Sequence, residues 1–283
     1  MTGVVFLGTK GPIQNAFKDE AFIVNYVKEM AEGNITLFPN NLKMKLLCRR
    51  IFNSKAWVNN SEDTKNPPDF YAKIYRLMMD VMQISEYADK RYLNSKGDPI
   101  DQLQRLEGEL IKDFVGRCPQ DINPIKVIPI VNDDKLIECE HNYRQWFDEF
   151  KRVVGKHNVQ AKRTYQKNHP GYKTILFVYD HSAMYGVASK KQNKEDMKRG
   201  TECSCTELHC WYLDKNFIDF IASLDCEYIV WATLHKLDCN IRFTDEEMPP
   251  IPAVCIFDVA ECKKMKTKTY DEELLVSLDA HSK

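Results

Sequence analysis

The chain has 283 residues, 43% hydrophobic and 29% charged, with a formal net charge of −1. This is the composition of a globular protein of one large or two moderate domains, and it excludes disordered and fibrous classes. With no excess of positive charge, nucleic acid could be held only by a local basic patch. No apolar run is long enough to span a bilayer, and the N-terminus lacks a charged-then-apolar leader, so the expectation is a cytoplasmic protein without a membrane partner.

Val4 to Leu7 reads as an edge strand or an arm. Glu20 to Glu32 carries Phe22, Ile23, Tyr26, Val27 and Met30 at helical spacing, closed by Gly33. A second helix, Asn41 to Ser54, has Leu42, Leu46, Leu47 and Ile51 on one face and Lys43, Lys45, Arg49 and Arg50 on the other. Ala56 to Val58 reads as a short strand and Tyr75 to Ile84 as a buried one. Ser85 to Asp98 is polar, and Asp98-Pro99 introduces a helix from Ile100 to Val115.

Further along, Pro124 to Val131 has strand character, with Pro129 marking an edge or a bulge. The longest helical pattern runs from Tyr143 to Lys167, and Thr174 to Tyr179 is the clearest strand. Residues 186–202 form a charged loop. A helix from Asp214 to Ser223, strands at Glu227 to Thr233 and Ala253 to Val259, and a terminal helix from Asp271 to Leu278 complete the chain.

The informative stretch is Asn66 to Ile84. Pro67 and Pro68 exclude a helix and set Asp69 on extended backbone, while Asp80 sits inside the apolar run Leu-Met-Met-Asp-Val-Met. On a strand, Met78, Asp80 and Met82 share one face. A carboxylate in such a run is expensive to bury unless a cation or hydrogen bonds meet it. A divalent metal held between Asp69 and Asp80 is one solution. A turn-capping Asp69 and a paired structural Asp80 is the other.

Pro68-Asp69 on one strand followed by Asp80-Val81-Met82 on the next resembles the PD-(D/E)xK nuclease superfamily, over roughly residues 40–185. The departure is Met82, which stands where the family has lysine. The resemblance implies an α/β fold with a mixed central sheet flanked by helices, a restriction-endonuclease-like core with N- and C-terminal additions. It implies a helix before the motif and a helix and strand after it. It also implies Asp69 and Asp80 as catalytic metal ligands for Mg²⁺ or Mn²⁺ and hydrolysis of DNA phosphodiesters. Methionine cannot supply the lysine's charge. Gln83 lies on the opposite strand face, and Lys55 or Lys73 would have to migrate in.

The helix from Tyr143 carries Lys151, Arg152, Lys156, Lys162 and Arg163, a spread suited to phosphate contacts or to a merely solvated face. Glu138 and Glu140 upstream are further candidate carboxylates for the metal. The ten cysteines are dispersed and read mostly as reduced thiols. Cys203, Cys205, His209 and Cys210 nonetheless offer soft ligands for a structural Zn²⁺, with Cys226, Cys239 or Cys262 to complete it. Asp180-His181-Ser182 cannot form a catalytic relay among themselves, because neighbours on a strand end point in different directions.

The organisation expected is an N-terminal helical extension (1–39), the nuclease-like core (40–185) and a C-terminal α/β extension packed on it (186–283). Two functions are kept. The first is a metal-dependent DNA endonuclease. The second is a catalytically inactive relative that binds nucleic acid or a protein partner in a defence or counter-defence role. A zinc-stabilised interaction module is a third reading, and a homodimer stays open.

Overall fold

A computed structural model of the chain describes residues 3–6, 14–15, 19–31, 33–61, 67–84, 88–93, 99–117, 126–130, 143–182, 184–189, 205–234 and 251–278. The strands are β1 (Gly3–Phe6), β2 (Gln14–Asn15), β3 (Ile35–Phe38), β4 (Val58–Asn59), β5 (Phe70–Ala72), β6 (Leu77–Ile84), β7 (Ala88–Leu93) and β8 (Pro99–Asp101). They continue with β9 (Lys126–Ile130), β10 (Lys173–Asp180), β11 (Tyr185–Ala188), β12 (Cys205–Leu208), β13 (Tyr228–Ala232), β14 (Val254–Asp258) and β15 (Leu275–Ser277). The helices are α1 (Glu20–Met30), α2 (Leu42–Asn53), α3 (Gln102–Arg117), α4 (Tyr143–Gln160), α5 (Lys215–Ile221) and α6 (Val259–Cys262). Beyond Gln160, α4 runs on through a wider turn, Ala161–Tyr165, and a last turn, Gln166–Asn168.

Seven strands form the main sheet in the order β3-β14-β13-β10-β6-β5-β4. β6, β10 and β13 run parallel, β5 is antiparallel to β6, and β4 is antiparallel to β5. Both faces of β10 are covered by helices, so it reads as a continuous apolar run, as central parallel strands do. The connection from β6 to the parallel β10 includes α4, as a crossover between parallel strands requires.

Period-two alternation divides the core into two layers. On one face, Met79, Val81, Ile175, Phe177, Val230 and Ile256 pack against Ile23 and Val27 of α1 and Met44, Leu47 and Ile51 of α2. On the other, Met82, Leu176, Val178, Ile229, Trp231 and Phe257 pack against Trp146, Phe150 and Val154 of α4 and Phe217 and Ile221 of α5. Rings dominate the second layer: Phe217 stacks on Trp231 at 3.9 Å, and Trp146 stacks on the same indole at 5.9 Å. Both helices on the first face have side-chain N-caps. Asp19 accepts from the amides of Ala21 and Phe22, and Asn41 accepts from that of Met44.

Several expectations shift. The polar segment Ser85 to Asp98 contains β7, which pairs with β8, and α3 therefore begins at Gln102 after a strand. Backbone pairing between segments leaves no mark on the period of a polar sequence. The strand expected at Ala56 to Val58 lies at Val58–Asn59. Instead of a terminal helix, Asp271 caps one short turn and Leu275–Ser277 pairs with β11. There the sheet ladder replaces a helix too short to hold alone. Pro129 sits in β9, the middle strand between β1 and β2, but β2 pairs only with Lys126 and Val127. The proline therefore needs a ladder partner on one side alone. Of the charged loop expected over 186–202, residues 186–188 belong to β11, where they pair with β12 and β15, and residues 190–202 lie outside the described residues.

Candidate metal and nucleic-acid site

β5 and β6 bring the two aspartates together. Phe70 pairs with Met79, and one step outward along the same ladder sets Asp69 beside Asp80. Where β5 stops, Asp69 Oδ2 takes over as ladder acceptor and receives the Val81 amide at 2.7 Å. A hydrogen bond also links the two carboxyls, which requires one of them to hold a proton. Burial first, then the Asp80 charge, push the Asp69 carboxyl up to about 8.

Asp80 is buried and faces α4, because Met78, Asp80 and Met82 share that side of β6. His157 Nδ1 lies 2.5 Å from Asp80 Oδ2. The Tyr165 hydroxyl, from the wider turn that prolongs α4, is also hydrogen-bonded to Asp80. Burial, then that carboxylate, raise the phenol of Tyr165 well above its ordinary range.

A third carboxylate comes from the opposite layer. Glu20, at the start of α1, is pushed up by burial, then by the neighbouring charges of Asp19 and Asp80, and its own charge acts on Asp69. No local pattern in the sequence singles out Glu20 or His157. Each lies at the end of a helix whose position on the sheet only packing decides. His157 could have been suspected only as a polar residue three positions beyond the buried Val154.

Met82 is buried among α4 and sheet side chains and brings no cation to the site. Gln83 lies on the other face of β6, as alternation requires. Lys73 stands in the β5–β6 turn, where its charge acts on His169, and Lys55 is exposed after α2. Neither is placed beside Asp80 by any contact recorded for it.

The expected basic face of α4 is largely ion-paired. Lys151 lies 2.8 Å from Asp148, Arg152 2.6 Å from Glu149 and Lys162 3.1 Å from Asp225. Lys156 and Arg163 are exposed. Glu138 and Glu140 lie outside the described residues.

Of the suggested zinc ligands, Cys203 and Cys239 lie outside the described residues. His209 Nε2 is 2.8 Å from Asp214 Oδ2, the same oxygen that accepts the Tyr143 hydroxyl. Burial raises the Cys210 thiol, and Cys205 packs against Gly186. Asp180 accepts Trp231 Nε1 at 3.1 Å and the Ser182 amide at 2.8 Å, a structural arrangement rather than a relay.

Among the described residues no group of three or more His, Cys, Asp or Glu side chains is gathered to hold a metal. The donors that do converge, Asp69 and Asp80, are hard oxygens with excess negative charge. They suit Mg²⁺ or Mn²⁺, which leave most of their coordination positions to water and phosphate. No protein-family model, curated protein or solved structure matches the chain, and no helix of the described residues is long and apolar enough to cross a membrane.

Proposed function

We propose that the chain is a metal-dependent nuclease of the PD-(D/E)xK type, hydrolysing DNA phosphodiesters with Asp69 and Asp80 as the ligands of Mg²⁺ or Mn²⁺. The observation that carries this reading is the juxtaposition of the two carboxyls across β5 and β6, where burial and the Asp80 charge make Asp69 costly to ionise. A buried, like-charged pair at the end of a strand is a frequent sign of a functional site. The helix before the motif and the helix and strand after it that the resemblance implies have counterparts in α2 ahead of β4, β5 and β6 and in α4 and β10 behind them, with β7, β8, α3 and β9 inserted between β6 and α4. A restriction-endonuclease-like core built on these strands is part of the proposal.

Bound between the aspartates, Mg²⁺ or Mn²⁺ would neutralise charge on the phosphodiester and activate a water. The chain's own contribution is orientation. The Val81 amide fixes Asp69, while His157 and Tyr165 fix Asp80. Glu20 adds negative charge that favours a cation over a second proton.

Calorimetric titration with Mg²⁺ and Mn²⁺, repeated with an oligonucleotide present, tests the reading. Wild type is expected to bind the metal ion and to cleave DNA, and Asp80→Ala to do neither. Unchanged cleavage in Asp80→Ala or Asp69→Ala would end the assignment.

One observation favours a second reading, that the chain is a nuclease-like protein that binds without cutting. Met82 is packed into the core, so the position the family fills with lysine offers no charge to the reaction. This reading predicts nucleic-acid or protein binding with no metal-dependent cleavage under any condition that supports binding.

A further inference from the structure

Resting on the nuclease reading, we propose that Tyr71, His169 and Tyr172, with Lys73 and Arg76, form a stacking subsite for an unpaired nucleobase, so that the substrate is single-stranded nucleic acid.

Placement is the first ground. Tyr71 alternates with Phe70 and Ala72 and so shares the sheet face of Met78 and Asp80; it pairs with Met78, two residues from Asp80. That is about 7 Å along the strand. Tyr165, which holds Asp80, belongs to the small cluster that Tyr71 and Tyr172 pack against. The three rings therefore begin one side-chain layer from the aspartates.

Construction is the second ground. The His169 ring is centred 4.6 Å from that of Tyr71 and 5.2 Å from that of Tyr172, tilted by 32° and 50°. Its backbone closes α4 by donating to the Tyr165 carbonyl at 2.8 Å. Gln166 ties the loop shut, with Nε2 donating to the Tyr172 carbonyl at 2.7 Å and Oε1 accepting the Gly171 amide at 3.2 Å. Arg76 reaches across from the β5–β6 turn, donates to the Pro170 carbonyl at 3.2 Å and stands 6.0 Å over the Tyr172 ring. Gly171 permits this: its φ is +71°, and a Cβ there would sit 2.8 Å from Arg76 Nη2. All three rings remain partly exposed, Tyr71 on β5 and His169 and Tyr172 on a preorganised loop.

Charge is the third ground. No Asp or Glu occurs from Phe70 to Met79 or from Ala161 to Tyr179, and Lys73, Arg76, Arg163 and Lys167 are exposed. Upstream on α4, by contrast, Lys151 and Arg152 are neutralised by neighbouring acids. Burial, then Lys73, lowers the His169 imidazole, so the ring stacks uncharged beside Arg76. Aromatic faces flanked by cations bind single strands, whose bases offer free faces, whereas duplex bases are stacked on one another.

The test is anisotropy in EDTA with labelled single-stranded DNA, single-stranded RNA and the matching duplexes. The expectation is that wild type binds both single strands at least about tenfold more tightly than duplex, and that His169→Ala/Tyr172→Leu loses at least about tenfold of that affinity. Duplex binding and the melting temperature should change little. Should the double variant fail to fold, Arg76→Gly, which suits the left-handed backbone at that residue (φ 50°), serves in its place. Equal or tighter duplex binding, no binding by wild type, or variants that bind single strands as wild type does would each overturn the proposal. A preference for one of the two single strands would identify the natural substrate. Asp80→Ala should keep the single-strand preference, so failure of cleavage and failure of this subsite are read separately.

Discussion

His157 and Asp80 are 77 residues apart in the chain, yet Nδ1 of the first lies 2.5 Å from Oδ2 of the second. The contact ties α4 to the strand that carries the proposed metal ligand. Partners of this kind hold a ligating carboxylate in one orientation, and their loss costs about 10–100-fold in metal affinity. His157→Ala should weaken Mn²⁺ binding by that factor in calorimetry, and His157→Asn, which keeps a donor, should recover part of it. Lys167→Ala, away from the pair, serves as control. Equal affinities across all three variants would remove His157 from the site.

The pH dependence follows from Asp69. Its folded carboxyl is raised by burial and by Asp80 to about 8, against an unfolded value of about 4. Between these the folded state holds more protons than the unfolded state, so stability falls as pH rises from about 4 to about 8 and then levels. Asp69→Asn keeps an acceptor for the Val81 amide and should flatten that limb in metal-free thermal melts, standing above wild type at pH 8. Metal binding must displace the shared proton, so affinity should rise over the same window with proton release measurable in buffers of different ionisation enthalpy.

The buried trio Tyr143, Asp214 and His209 joins α4, the start of α5 and the end of β12. Burial opposes the charge of Asp214, but hydrogen bonds from His209 and Tyr143 outweigh it and lower the carboxyl. Tyr143→Phe keeps the ring contacts and removes one donor, at an expected cost of about 1–3 kcal/mol in urea titration. A group with a lowered folded value stabilises above its unfolded value and loses that contribution as pH falls through the folded one. Asp214→Asn should therefore soften the acid limb of the stability profile.

Core and surface should differ sharply in cost. Phe217 is fully buried and stacked on Trp231, so Phe217→Ala is expected to cost about 3–5 kcal/mol. Lys264 lies 2.8 Å from Glu261 with both side chains in water. Lys264→Met should cost about 1 kcal/mol or less, and the difference should shrink further in salt. Chemical denaturation of both variants at two salt concentrations checks the contrast.

The sequence by itself determined most elements and singled out Asp69 and Asp80, while the register of β5 on β6 set them side by side. Helix periodicity and the apolar runs of β6 and β10 are local signals, and alternation along β6 alone puts Asp80 and Met82 on one face. It did not determine what meets Asp80. Glu20, His157 and Tyr165 arrive from α1 on one layer and from α4 and its extension on the other. Nor did it show that Lys151, Arg152 and Lys162 meet Asp148, Glu149 and Asp225. It also missed β7, β8 and β15, whose strands exist because another segment supplies the hydrogen-bonding partner. Periodicity records which side of an element is apolar. Only tertiary packing chooses the neighbour, and the neighbour sets the burial and charge that the aspartates feel.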